Sequence, residues 1–194
     1  MYSLDFLRKR GLFIRQEFLS GSRCAKFCVQ MRAAEREEAE VYGSATPVNR
    51  AVRTAWEVAI ADADAADVRQ RMAALGPDLA DRFGGPLAGC EEPTFLLYGA
   101  GGFFRPHRDR ASRTDESAGD ARARRVSLVL FLNDDYTGGA LTLYGLVDDP
   151  AWRAYGFAVP AEPGLLVAFS SDLLHEVTPV VDGERCTAVS WFAA

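Results

Sequence analysis

From Pro93 to its end the chain is a succession of short apolar runs, at 94–98, 125–133, 140–144, 164–169, 175–181 and 186–192, with turn-forming residues between them. Runs of this length are strand-sized, and several in series point to a sandwich or barrel with a filled interior. In the second run Val126, Leu128, Leu130 and Leu132 alternate with Ser127, Val129, Phe131 and Asn133. One face of that strand is therefore wholly apolar, and the other is mixed enough to line a pocket.

The residues ahead of this β texture have a helical rhythm. Ser20 and Ser22 offer N-caps to a stripe of Cys24, Phe27, Cys28 and Met31, which also accounts for two of the cysteines as small buried hydrophobes. A second stripe, Val68, Met72, Leu75, Leu79 and Phe83, is interrupted by Gly76-Pro77, which should break or kink it. Glu35 to Glu40 reads as a solvated helix end or a loop, and Ala111 to Arg124 as a polar, mobile loop. The expected fold is mainly β with N-terminal helices, an α+β chain. It forms one domain over 1–194, with helical support over about 1–92 and a β core over about 93–194.

A net charge of −5 gives no general reason to bind nucleic acid or an anionic membrane, so neither partner is expected. No apolar run approaches the ~18 residues of a membrane span. Met1 to Arg10 mixes Leu4, Phe6 and Leu7 with charges and so lacks the apolar core of a signal peptide. Cys24, Cys28, Cys90 and Cys186 lack zinc-ligand spacing and read as reduced thiols of a cytoplasmic protein. Oligomeric state leaves no mark on the sequence.

The chain has two histidines, His107 and His175. On a strand, His107 and Asp109 would point the same way, giving half a metal site, and two histidines with one carboxylate suit non-haem Fe(II). Arg185, ten residues beyond His175 and near the end of a short hairpin, could reach the same pocket and grip a carboxylate. Taken singly, each residue has a plainer role, as a structural histidine, a surface charge or a core aromatic. His107-Arg108-Asp109 is not a kinase loop, because Thr114 stands at the asparagine position and no upstream lysine motif exists. Gly99-x-Gly101-Gly102 lacks the helix and acidic residue of a dinucleotide site, and serves better as a flexible approach to the metal strand.

Several elements recur in a familiar order: Tyr98-x-x-Gly101-x-x-Phe104-x-x-His107-x-Asp109, Arg125-x-Ser127 through Phe131-Leu132-Asn133, Gly138-Gly139-x-Leu141, Pro163-Gly164, His175, Gly183-x-Arg185 and Trp191. Together, over residues 94 to 192, they resemble the 2-oxoglutarate- and Fe(II)-dependent dioxygenases, and within them the prolyl 4-hydroxylase-like branch. The resemblance implies a double-stranded β-helix (a jelly roll, cupin-like) with His107, Asp109 and His175 holding Fe(II). It implies that Arg185 and Tyr98 bind 2-oxoglutarate, with Thr187 facing the same side and Leu141 forming an apolar wall. Arg125 and Trp191 match positions near the substrate, and Phe131 stands where related hydroxylases often carry a tyrosine.

The implied reaction consumes O2 and 2-oxoglutarate, releases succinate and CO2, and hydroxylates an unactivated C–H bond, with ascorbate a candidate reductant. Asp109 fits hydroxylation, since the related halogenases replace that carboxylate with a small residue. The implied substrate is a prolyl residue of a protein or peptide. Alternatives are a free amino acid or small metabolite, a cupin-like metal enzyme without 2-oxoglutarate, and a noncatalytic binding module. The loop 111–124 follows the first two ligands and is expected to cover the substrate.

Overall fold

The computed structural model describes residues 2–41, 46–111, 119 and 121–194. Four helices, α1 (Leu4–Lys9), α2 (Gly21–Ala33), α3 (Asp62–Ala73) and α4 (Gly76–Phe83), lie in the first half. The strands there are β1 (Phe13–Arg15), β2 (Arg36–Glu38), β3 (Arg53–Thr54) and β4 (Trp56–Val58). Ten more follow: β5 (Thr94–Tyr98), β6 (Phe103–His107), β7 (Arg124–Phe131), β8 (Thr137–Gly138), β9 (Leu141–Tyr144), β10 (Gly156–Ala158), β11 (Leu166–Ser170), β12 (His175–Val177), β13 (Val180–Asp182) and β14 (Arg185–Ala193).

Two antiparallel sheets build the double-stranded β-helix. The larger has the order β1-β11-β7-β14-β5-β4-β2 and the smaller β10-β9-β12-β6-β3, with β13 and β8 as a separate pair. The alternation along β7 divides its two faces. Val126, Leu128 and Leu130 pack outward against Cys24, Phe27, Cys28 and Met31 of α2 and against Val68, Met72 and Leu79 of α3 and α4. Val129 and Phe131 turn inward to Leu141, Leu143, Phe157 and Phe169. The helices therefore brace the back of the large sheet and leave its inner face for the site. A fully buried apolar side chain contributes about 1.5–3 kcal/mol, so this backing is the main anchor of α2.

Several sequence readings need correction. Ser20 alone caps α2, its hydroxyl accepting from the Arg23 amide at 3.4 Å, while Ser22 lies inside the helix. The second stripe does break at Gly76-Pro77 as expected, into α3 and α4, with the proline in the first turn of α4. The first 92 residues are not purely a helical support, because β1 pairs with β11, β4 with β5, and β3 with β6. Residues 36–38, expected within a loop or helix end, form the edge strand β2. The expected covering loop falls mainly on residues 112–118 and 120, which lie outside the described residues. No helix among the described residues is long and apolar enough to cross a membrane.

Candidate metal centre and its cavity

His107 ends β6 and His175 begins β12, and the register sets them directly opposite each other, with ring centroids 4.2 Å apart. Asp109 lies just beyond the end of β6, so strand alternation is not what places it. Its carboxylate nonetheless sits 3.4 Å from His107 Nε2 and 3.6 Å from His175 Nε2. One ligand atom from each of the three lies within 4.8 Å of the others.

Backbone carbonyls fix the tautomers. His107 Nδ1 is 2.8 Å from the Arg105 carbonyl oxygen, and His175 Nδ1 is 2.9 Å from that of Leu173. A carbonyl has no proton to give, so each Nδ1 donates and each Nε2 keeps its lone pair for a metal. Phe104 stacks on His107 at 3.5 Å, and Phe169 meets His175 edge-on at 4.9 Å, fixing both ring planes. Burial pushes His175 down to about 4, aided by His107 and opposed by Asp109, so it is a neutral ligand at ordinary pH. Burial alone would raise the Asp109 carboxyl, but the two imidazoles and a hydrogen bond from Ser127 outweigh it and hold the group well below the usual carboxylate range. Ser127 in turn lies 2.9 Å from the Ser171 hydroxyl. Ser127 stands in the quoted motif but was given no role in the sequence, although its place on the mixed face of β7 was the available signal; Ser171, just beyond β11, was not named.

A cavity of about 920 Å³ opens onto the three ligands and is lined also by Tyr98, Leu141, Arg185, Thr187 and Trp191. Arg185, 2% exposed, begins β14 directly opposite Tyr98. Its Nη1 donates to the Thr187 hydroxyl at 3.2 Å, and its guanidinium lies 5.1 Å from the Tyr98 ring and 5.5 Å from that of Phe131. Phe131 thus backs the arginine without lining the cavity. Gly139 makes room for it, since a Cβ there would come within 3.1 Å of Arg185 Cδ. The Tyr136 phenol, raised by burial and partly lowered by Arg185, is a further neighbour that sequence reasoning missed.

Arg125 is a correction. Its guanidinium leaves the cavity and donates to the carbonyl oxygens of Pro86 at 3.0 Å and Phe83 at 3.2 Å, and also to that of Gly84. The cause is a register shift. Ala193 pairs with Arg124 but Phe192 with Val126, so Arg125 is an extra residue in β7 and the facing alternation reverses there. Arg124 lines the cavity instead, with its guanidinium 3.5 Å above the Trp191 ring and both its Nε and Nη2 on the Glu91 carboxylate at 2.9 and 2.7 Å. The glycine turn before β6 is another difference. Gly101 donates to Val180 O and Gly102 to Gly99 O, a tight turn held by hydrogen bonds where a flexible approach was expected.

The donor set fits iron, with two imidazoles whose Nδ1 atoms face backbone carbonyls and one ionised carboxylate brought within 4.8 Å of one another. The arginine fits a bound carboxylate, because Arg185 Nε is buried and has no hydrogen-bond partner among the described residues. Leaving such a donor unpaired costs about 1–3 kcal/mol, which an anionic ligand would relieve.

Fold and site together define a jelly-roll protein with a two-histidine, one-carboxylate metal centre. Residues 93–193 match the model of the 2OG-Fe(II) oxygenase superfamily, and the chain belongs to that superfamily, whose cofactors are Fe(II), 2-oxoglutarate and O2. It is 33% identical over 101 residues to a PKHD-type hydroxylase of Nitrobacter winogradskyi, covering 51% of this chain and 42% of that protein. It is 38% identical over 100 residues to a PKHD-type hydroxylase of Synechococcus elongatus, covering 50% and 40%. The chain thus spans less than half the length of these curated relatives. Over the whole fold it resembles a Pseudomonas putida prolyl-4-hydroxylase, with a TM-score of 0.72, 25% identity, and 97% and 95% of the two chains covered. A prolyl hydroxylase of Trichoplax adhaerens, solved with a peptide fragment of the hypoxia inducible factor oxygen degradation domain, shares the fold at a TM-score of 0.71 and 18% identity, covering 97% and 86%.

Proposed function

We propose that residues 1–194 act as one catalytic domain, an Fe(II)- and 2-oxoglutarate-dependent dioxygenase that hydroxylates an unactivated C–H bond of a prolyl residue in a protein or peptide. Succinate and CO2 are the coproducts. One observation carries this reading: the buried, unpartnered Nε of Arg185 lines the same cavity as the three ligand atoms. The prolyl assignment draws on the fold shared with a prolyl-4-hydroxylase at 25% identity. A cytoplasmic setting suits the four buried free cysteines.

Iron held here with 2-oxoglutarate would supply the O2 activation and oxidative decarboxylation that side chains cannot perform. His107, Asp109 and His175 would hold the iron. Arg185 would grip the far carboxylate of the cosubstrate, with Thr187 fixing the guanidinium and the Tyr98 phenol within the same cavity. Leu141 excludes water from that side. Asp109 fills the position that chloride would need, so the residues favour hydroxylation over halogenation.

The test is mass spectrometry of prolyl peptides, free proline and other amino acids incubated with iron-loaded protein, 2-oxoglutarate, ascorbate and air. Addition of one oxygen atom to a prolyl residue is the expected result. Oxygen added to a free amino acid and to no peptide would overturn the peptide assignment.

A further inference from the structure

We infer that the cavity receives a cationic polypeptide segment, one carrying lysine or arginine side chains next to the residue to be oxidised. This rests on the reading of the cavity as a hydroxylation site and names the substrate class for it.

The path runs along a cross-strand row of the large sheet. Phe131 pairs with Thr187, Thr187 with Leu96, Leu96 with Glu57, and Glu57 with Glu37. Directly paired residues share a face, so Glu57 and Glu37 lie on the same inner face as Thr187, and all three line the cavity. At a strand spacing of about 4.8 Å, the two carboxylates stand roughly 10 and 14 Å from the Thr187 position. Extended chain covers about 3.3–3.6 Å per residue, so a lysine two or three residues to one side of a bound target residue reaches them once the length of its side chain is added.

Glu38, Glu91 and Glu92 also line the cavity but are already matched, by Arg50, Arg124 and Arg69. Glu37, Glu40 and Glu57 have no ion pair among the described residues. Arg53 lines the same wall and sets one positive charge against them: its Nη1 donates to the Glu40 carbonyl oxygen at 2.9 Å, its guanidinium stacks over Phe104 at 4.7 Å, and its buried Nε has no hydrogen-bond partner among the described residues. Three carboxylates, Glu37, Glu40 and Glu57, against the one guanidinium of Arg53 leave negative charge in excess on this wall. Burial raises the Glu57 carboxyl, Arg53 opposes it, and Glu37 and Glu40 raise it further.

Like charges directly opposite on neighbouring strands destabilise a sheet. Charge on an edge strand can serve to block unwanted strand pairing. That purpose does not require Glu57, which sits on the interior strand β4, nor the inward aim of both carboxylates. The wall also belongs to a cavity with a second, independent sign of ligand binding, the unpartnered Nε of the buried Arg185. A cavity of about 920 Å³ lies at the upper end of small-molecule sites, which favours a polypeptide segment over a single amino acid.

The test measures binding by fluorescence anisotropy, under anaerobic conditions with iron and 2-oxoglutarate. The probes are a labelled prolyl peptide flanked by lysines and the same peptide flanked by glutamates, with free lysine and free proline as competitors. The lysine peptide should bind roughly tenfold tighter and lose that advantage in high salt. Glu37→Gln with Glu57→Gln should weaken it roughly fivefold per carboxylate, while Gln keeps the shape and removes the repulsion. Equal binding of the two peptides, or unchanged binding by the double variant, would overturn the inference. So would full displacement of the labelled peptide by free lysine at equal concentration. Selective binding of the lysine peptide without any oxygenated product would sustain the inference and sink the proposed reaction.

Discussion

At the scale of single residues, the metal centre depends on which nitrogen of each histidine is left free. Two backbone carbonyls make that choice, so the centre is preset before any metal arrives. The same burial makes His175 sensitive to acid. Its folded value of about 4 lies below its ordinary 6.5, so the unfolded chain takes up a proton that the folded chain refuses. Stability of the metal-free protein should be intact above pH 6.5 and decline as pH falls toward 4, by up to roughly 3 kcal/mol. Urea denaturation checks this, and His175→Gln should flatten the decline in that window.

His107, Asp109, His175, Arg185, Tyr98, Thr187, Leu141 and Trp191 were all nameable from the sequence, and they line one cavity. Residue type and order were enough for that. Arg125 was not readable, because a single extra residue in β7 exchanges its direction with that of Arg124. Nothing local in the sequence marks where a bulge will fall when both candidates are arginines.

At the scale of elements, the helices were legible as stripes because each buries one face. Phe27 is wholly buried in the stripe of α2 and meets Phe95 of β5 edge-on at 6.3 Å. Phe27→Ala should cost about 3–5 kcal/mol of unfolding free energy, read from the denaturation midpoint. Strand β2 was illegible for the opposite reason. Arg36, Glu37 and Glu38 carry no apolar pattern, and the segment is a strand only because β4 offers it an edge. The turn before β11 is a second element-scale constraint. Gly164 has φ +85°, and a Cβ there would meet the Leu19 carbonyl oxygen at 2.1 Å. Gly164→Ala should therefore destabilise by more than the ~1 kcal/mol of an ordinary turn substitution, measured by thermal unfolding.

At the scale of the whole molecule, the two sheets divide the work. The small sheet carries both histidines on β6 and β12, and the large sheet carries Arg185, Thr187 and Tyr98 on β14 and β5. The cavity that joins the metal ligands to the carboxylate-binding arginine exists only when the sheets face each other. The β texture after Pro93 made this architecture legible in outline, whereas the strands contributed by the first 92 residues, short and weakly patterned, became visible only through their partners.

The central claim is that one cavity holds a metal through His107, Asp109 and His175 and a dicarboxylate through Arg185. Its most direct test is succinate formation from 2-oxoglutarate by iron-loaded protein in air, comparing the native chain with His107→Ala and Arg185→Ala. Native protein should produce succinate, and His107→Ala should produce none. Arg185→Ala should raise the KM for 2-oxoglutarate by roughly two orders of magnitude. Undiminished turnover in Arg185→Ala at low 2-oxoglutarate, or succinate from His107→Ala at the native rate, would contradict it.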